Sequence, residues 1–333
     1  MSNIRDVAKK ANCSIATVSR VLSQDDSFII SEKKRKEIFD AVKELGYIHH
    51  SHNKKIKLGC IMAVTVEKYS DPFFTSILSA MENECEEVGA TISIVRKYTE
   101  LQDPYILQEL FDANLSGLII MERVSEDLLN KIQEKIPNIL FIDNDEEDRD
   151  YDGIGFNHNL ANKQVMDCLM EKGYRRIAMI SGSSPYVPLE NSTRLACYRE
   201  ALIRNNIPYD KSLVKDCNWD LDICEKQVKE VMSLDNPPDA IFAGSDSLAS
   251  CILGTLYSMH YLCPEDVGVI GFNNLPFSAH MIPPLTTIDI PTKDIGVAAI
   301  HRIIEMIKGR NIKKRKIVFA TKLIERKSLK GGH

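Results

Sequence analysis

The chain has 333 residues, 44% of them apolar, with a net charge of −5 and a pI near 6.0, which is length enough for two or three domains with full cores. The charge is split: residues 1 to 58 hold twelve Lys or Arg against seven Asp or Glu, and the remainder holds 30 against 40, so only the front of the molecule suits a polyanion. Nine cysteines without a Cys-x-x-Cys pair argue against a disulfide frame or a zinc site, and the lack of a signal-like apolar core or a bilayer-length run predicts a cytoplasmic protein with no membrane partner.

Taken in order, Ile4, Val7, Ala8 and Ala11 keep helical spacing and predict a short amphipathic helix. Asn12 breaks it, and Ser14 stands where an N-cap belongs. The second helix hides Val18, Val21 and Leu22 and turns Ile15, Ala16, Ser19 and Arg20 outward. A third, capped by Ser31, runs from Glu32 to Leu45 with Ile38, Ala41, Val42 and Leu45 inward and Gly46 as its stop. Two short helices around a tight turn, backed by a third, have the layout of a helix-turn-helix, so residues 1–47 read as a small all-α DNA-binding head.

The residues go further than the layout. Asp6-Val7-Ala8, the run from Ser14 through Leu22 and Leu45-Gly46-Tyr47 resemble, nearly letter for letter, the head of the lactose/galactose-repressor family of bacterial transcription regulators. That resemblance implies a homodimer on a palindromic double-stranded operator. It also implies a hinge in the linker, residues 48–57, whose leucine wedges into the minor groove. This linker carries His49-His50 where the family has Pro-Asn, and it is shorter than usual; Ile56 and Leu58 stand nearest to a wedge. Its histidines at short spacing on a tether are not read as a metal site.

From residue 58 onward, near-continuous apolar runs alternate with amphipathic helices, which predicts parallel strands buried on both faces. Strands are expected at Leu58–Val66, Thr91–Val95, Gly117–Met121 and Asn138–Ile142, then at Arg176–Ile180, Leu213–Lys215, Asp239–Ala243, Val267–Gly271 and Thr286–Ile288, with a last one over Lys316–Leu323. The fold class is therefore α/β: an all-α head followed by a bilobed body of two parallel-sheet lobes. Lobe 1 is expected over about 58–156 plus 289–315, lobe 2 over about 157–288 plus 316–330, with the cleft at the strand ends. Asp71-Pro72-Phe73-Phe74, Gly173-Tyr174-Arg175-Arg176-Ile177, Gly244-Ser245-Asp246 and Pro283 to Ile288 resemble recurring signposts of the family's effector-binding and dimerisation domain, itself similar to periplasmic sugar-binding proteins.

Loops after these strands supply candidate ligand contacts. A sugar needs hydroxyl donors and acceptors plus a flat apolar face. Asp71 and Phe73 follow the first strand; Asp143, Arg194, Trp219 (the only tryptophan), Ser245 and Asn273 match pocket positions by the resemblance. Family members often carry aspartate where Asn273 stands. Asp246 is expected to cap the helix after it. In the head, Ser14, Thr17 and Ser19 would meet phosphates, Ile15 and Ala16 thymine methyls, and Arg20 a guanine edge.

There is no Gly-x-Ser-x-Gly elbow, no phosphate-cradling Gly-x-x-x-x-Gly-Lys and no His-Glu-x-x-His. The expectation is accordingly a non-enzyme without cofactor or metal: a repressor of a carbohydrate operon, modulated by a small sugar, galactosides being favoured. A solute-binding protein would share the body but not the head, and a sugar-processing enzyme would need an acid–base pair in the cleft.

Overall fold

The computed structural model describes residues 3–22, 28–45, 47, 56–64, 71–143, 150–184, 186–309 and 313–331. It divides into two compact units, residues 1–55 and 56–333.

In the first unit, α1 (Ile4–Lys10) opens with a reciprocal box. The Asn3 side chain accepts from the Arg5 and Asp6 amides, and the Asp6 carboxylate accepts from the Asn3 amide. Helices α2 (Ile15–Leu22) and α3 (Glu32–Leu45) close the bundle. Val7, Val18 and Ile38 are fully buried, with Ala8, Ala11, Val21 and Ala41 nearly so. Lys34 closes the far end of α1 by donating to the Ala11 carbonyl at 2.7 Å. Gly46 and the linker stretch 48–55, the place of the expected hinge, lie outside the described residues. Ile56 and Leu58 are not available as wedges: both belong to the first strand of the body, and Leu58 is fully buried there.

The body's first sheet is parallel throughout, with the order Lys316–Phe319, Asp152–Phe156, Ile139–Ile142, Gly117–Glu122, Ile56–Ala63, Ala90–Lys97. In chain order these are β1 (Ile56–Ala63), β2 (Ala90–Lys97), β3 (Gly117–Glu122), β4 (Ile139–Ile142) and β5 (Asp152–Phe156), with Lys316–Phe319 returning at the edge. The second sheet, also parallel, has the order Val214–Asp216, Ile177–Ser181, Ala240–Ala243, Gly268–Ile270; in chain order β6 (Ile177–Ser181), β7 (Val214–Asp216), β8 (Ala240–Ala243) and β9 (Gly268–Ile270). The strands are apolar because helices cover both sheet faces: Leu118 to Met121, Leu140 and Ile142 are fully buried, as are Met179, Ile180 and Ala240 to Ala243.

Two differences from the sequence reading concern the crossings between lobes. Asp152–Phe156 is a strand, although its two glycines and short length hid it. The single strand expected over Lys316–Leu323 is two. Lys316–Phe319 pairs in parallel with β5, which places it in lobe 1 and not with lobe 2. After Thr321 the chain turns, and Lys322–Ile324 pairs antiparallel with Thr287–Asp289. The segment beyond rejoins lobe 2, where the Val269 amide donates to the Ser328 carbonyl and Leu329 is fully buried. Helix Thr292–Ile307 packs on helix Pro72–Val88 of lobe 1, and its Arg302 is buried in an ion pair with Asp152.

Three crossings thus run between the lobes: after β5, between Thr287–Asp289 and the Thr292 helix, and around Ala320–Thr321. The segments flanking the second and third are joined by one hydrogen-bond network. The Asp246 carboxylate accepts from the Thr287 hydroxyl at 2.6 Å and the Leu275 amide at 2.7 Å. Arg326 donates to the Leu285 carbonyl and to Asn274, and Asn274 donates to Asp289. Asp246 therefore does more than sit at a helix start; the cap itself is Ser245, whose hydroxyl accepts from the Leu248 amide.

Candidate functional site

The head presents a small hydrogen-bonding face. Ser14 is the N-cap of α2: its hydroxyl accepts from the Thr17 amide at 3.0 Å and lies 2.8 Å from the Thr17 hydroxyl. Ile15 is 45% exposed, and Ala16 and Arg20 also face outward, while Thr17 and Ser19 are half-buried. The Arg20 guanidinium lies 5.3 Å from the Phe28 ring centre, which restrains the side chain. An apolar tip beside an arginine, on a helix whose other face is core, suits the major groove.

In the body, all seven cleft residues named from the sequence line one cavity of about 150 Å³ between the lobes: Asp71, Phe73, Asp143, Arg194, Trp219, Ser245 and Asn273. Lobe 1 supplies the first three. Asp71 caps helix Pro72–Val88, its carboxylate accepting from the Phe73 amide at 2.9 Å. Phe73 is buried edge-on to Phe74 and Phe156. Asp143 ends β4 with φ of 56°, a strained conformation for a residue with a Cβ. Its amide donates to the Ile154 carbonyl and its carboxylate meets His158 Nε2 at 2.8 Å. The His158 ring stacks on Phe156 with centres 4.0 Å apart.

Lobe 2 supplies the other four. Arg194 enters from the first turn of helix Thr193–Arg204, which Ser192 caps. Its guanidinium donates to the Ser181 hydroxyl at 2.8 Å and to the side-chain Oδ1 of Asn162 at 3.3 Å. Phe272, Trp219 and Phe242 surround it at 4.9, 5.7 and 5.8 Å from their ring centres. Burial lowers its pKa to about 10, against the opposing pull of Asp143 and Glu122, so it stays cationic at neutral pH. Trp219 and Asn218 both have positive φ. The Trp219 indole donates to the Ser183 carbonyl at 2.8 Å, and Asp216 ties the Ser183 and Asn218 amides together. Gly182 is required here, because a Cβ would stand 2.5 Å from the indole. Ser245 is nearly fully buried and engaged as a cap. Asn273 has φ of 108° and its amide donates to the Ile288 carbonyl across the crossing.

The sequence reading left out Glu122, Arg123, Phe156, His158, Asn162 and Tyr186, which line the same cavity. Glu122 and Arg123 stand at the end of β3, where the strand-end rule could have found them. His158 follows β5, the strand that its glycines concealed. Among the described residues no group of three or more His, Cys, Asp or Glu is placed to hold a metal, and no helix is long and apolar enough to cross a membrane.

Two family descriptions match. Residues 3–49 match "Bacterial regulatory proteins, lacI family" and residues 166–329 match "Periplasmic binding protein-like domain". The ribose operon repressor of Escherichia coli K12 is 28% identical over 337 residues, covering 98% of this chain and all of the relative. The repressor PurR of Aliivibrio salmonicida is 26% identical, with 99% of both chains covered, and the repressor MelR of Bacillus subtilis is 25% identical, covering 98% and 97%. Among solved structures, the CelR regulator in complex with cellobiose superposes with a TM-score of 0.72 at 25% identity, covering 98% of this chain and 100% of that one. The lac repressor dimer bound to operator and an anti-inducer has the same fold, with a TM-score of 0.74 at 22% identity over 98% of each chain. The chain thus carries a lacI-family helix-turn-helix head joined to a periplasmic-binding-protein-like body, the arrangement whose full-length relatives named above are repressors.

Proposed function

We propose that this regulator is a homodimeric repressor of a carbohydrate operon and that a small sugar bound in the interlobe cleft loosens its hold on a palindromic operator. The observation that carries this reading is the convergence of Asp71, Asp143, Arg194, Trp219, Ser245 and Asn273, drawn from separate strand ends of both lobes, on one cavity. Carboxylates, a cation and an amide beside the aromatic faces of Phe73 and Trp219 match the alternating hydroxyl edge and C–H face of a sugar ring. A ligand touching both lobes favours one inter-lobe angle, and three crossings confine that motion to a hinge. Two heads on a two-fold dimer read an inverted repeat, with Arg20 on a guanine edge and Ile15 and Ala16 against thymine methyls.

Two relatives support a carbohydrate: one is named for the ribose operon and another was solved with cellobiose. Galactosides head the candidates from the pocket positions, and an amide at Asn273 in place of a carboxylate favours a ligand that offers an acceptor there as well as a donor. A thermal-shift screen of mono- and disaccharides, galactosides first, tests the reading, because a ligand of the folded state raises its melting temperature. The proposal expects at least one sugar to stabilise wild type and not Arg194→Ala. Stabilisation by nucleobases alone would replace the sugar, and equal stabilisation of both proteins would remove Arg194 from the site.

A further inference from the structure

On the side of the cleft facing away from the crossings, two tyrosines meet across the lobes. Tyr98 follows β2, opens the short 3-10 turn Tyr98–Gln102 and packs on the lobe 1 core. Tyr186 stands in the loop after β6, in a turn where the Ser184 amide donates to the Val187 carbonyl and the Val187 amide to the Ser184 hydroxyl, both at 3.0 Å. The two rings pack edge-on, with centres 5.3 Å apart and planes at 80°, and Tyr186 lines the same cavity as Trp219. The sheet orders fix the place of this pair. In lobe 1, β5 and Lys316–Phe319, which lead into the first and third crossings, lie at one edge, and β2 forms the other. In lobe 2, Thr286 bridges to Ile270 at the β9 edge, two strands from β6. A hinge motion about the crossings therefore moves these two rings apart more than it moves groups beside the hinge.

We propose that Tyr98 and Tyr186 form a size-selecting gate to the cleft, which encloses a single sugar ring when shut and must part for a longer saccharide. The choice of sugar rests on the function proposed above; the gate itself stands on the ring contact. A cavity of about 150 Å³ is the size that takes one six-membered ring. A second ring has to pass between the tyrosines. Such an edge-on pair is worth about two- to tenfold in an equilibrium, enough to select between ligands and weak enough to open. The Tyr186 hydroxyl tips the balance toward opening. It is buried and has no hydrogen-bond partner among the described residues, a cost that water or a ligand hydroxyl relieves once the rings part.

Trp219 is the only tryptophan, so acrylamide quenching of its emission reads access to the cavity without any sugar. Tyr98→Leu keeps an apolar contact on lobe 1 and removes the ring; the parted fraction should grow about two- to tenfold, and quenching should rise with it. Tyr186→Phe keeps both rings and deletes the unpaired hydroxyl, so quenching should fall or hold and the ligand-free melting temperature should not drop. Unchanged quenching in Tyr98→Leu, or more quenching or a lower melting temperature in Tyr186→Phe, would overturn the gate. Calorimetry with galactose and lactose then reads the size selection: Tyr98→Leu should gain about two- to tenfold on lactose and nothing on galactose. An equal gain on both sugars, or no gain on a lactose that wild type binds, would overturn the selection. If neither sugar binds either protein, the fault lies with the galactosides proposed above, since acrylamide decides the gate without them.

Discussion

The head and the cleft present their chemistry by opposite means. In the head, Ile15, Ala16 and Arg20 face outward from a three-helix core and draw their order from the helix beneath them. In the cleft, Arg194 and Trp219 point inward and are each held by named partners: Ser181 and Asn162 for the guanidinium, the Ser183 carbonyl and the Gly182 backbone for the indole. An exposed reading face must stay open to a large rigid partner, and its precision comes from the helix axis. A small-ligand pocket must hold each side chain in place before the ligand arrives, or the ligand meets that ordering cost itself. The two regions should therefore fail differently when altered.

The largest expected effect is in the head. Ile38→Ala empties its centre and should cost about 2–5 kcal/mol; a unit of this size has only a few kcal/mol in hand. Operator binding should vanish in a gel-shift titration, while the thermal transition of the body stays where it was. A fall in that transition would show that the two units share a core.

Arg194→Ala comes next. It deletes the pocket's central cation and leaves Asn162 and Ser181 without their partner, so sugar affinity should drop about 100-fold, at roughly 1.4 kcal/mol per tenfold. Operator affinity without sugar should hold, as read by calorimetry and gel shift on the same preparation. In the head, Arg20→Ala should lose about 1–3 kcal/mol on the preferred sequence and far less on random duplex. Equal losses on both would reduce Arg20 to a phosphate contact.

Gly182→Ala should move the indole without emptying the pocket. The single tryptophan makes this visible as a shifted emission maximum, with a loss of sugar affinity smaller than that of Arg194→Ala. Unchanged emission would mean that the loop absorbs the methyl group. The smallest effect concerns the crossing network. Burial raises the Asp246 carboxyl to about 7 from its ordinary 3.8, its hydrogen bonds pulling the other way. A carboxyl raised on folding binds its proton more tightly in the native state, so its contribution is complete below pH 4 and is lost as pH rises toward 7. Denaturant titrations should show that slope in wild type and a flatter one in Asp246→Asn, measured against an offset of about 1–3 kcal/mol from the lost acceptor.

How much of this was legible in the sequence depends on periodicity. The head could be read almost to the residue, since Ile4 to Leu22 carries its spacing, cap and turn within one short stretch. The long apolar strands were legible from their composition. Asp71 and Phe73 were legible from the rule that strand ends mark ligand sites in open α/β folds, whereas Asp143, Arg194, Trp219, Ser245 and Asn273 were singled out by the family resemblance. The crossings were legible in neither way. Asp152–Phe156 is too short and glycine-rich to signal a strand, and it hid His158 behind it. Residues 316–323 look continuous because both pieces are extended, yet they pair with different lobes, a long-range choice that no local pattern encodes. Asp246 looked like a cap because it follows a strand and opens a helix; only the fold brings Thr287 and Leu275 onto its carboxylate.

The central claim is that ligand in the cleft governs the grip of the head. The most direct measurement selects duplexes from a random pool with the full-length protein and then titrates the winners with a sugar that raises its melting temperature. The account predicts an inverted repeat among the selected sequences and an operator affinity that falls tenfold or more on sugar addition, within the usual 1–3 kcal/mol of allosteric coupling, with Arg194→Ala binding the repeat but ignoring the sugar. Selection of no inverted repeat, or a sugar that stabilises the protein yet leaves operator affinity unchanged, would contradict it.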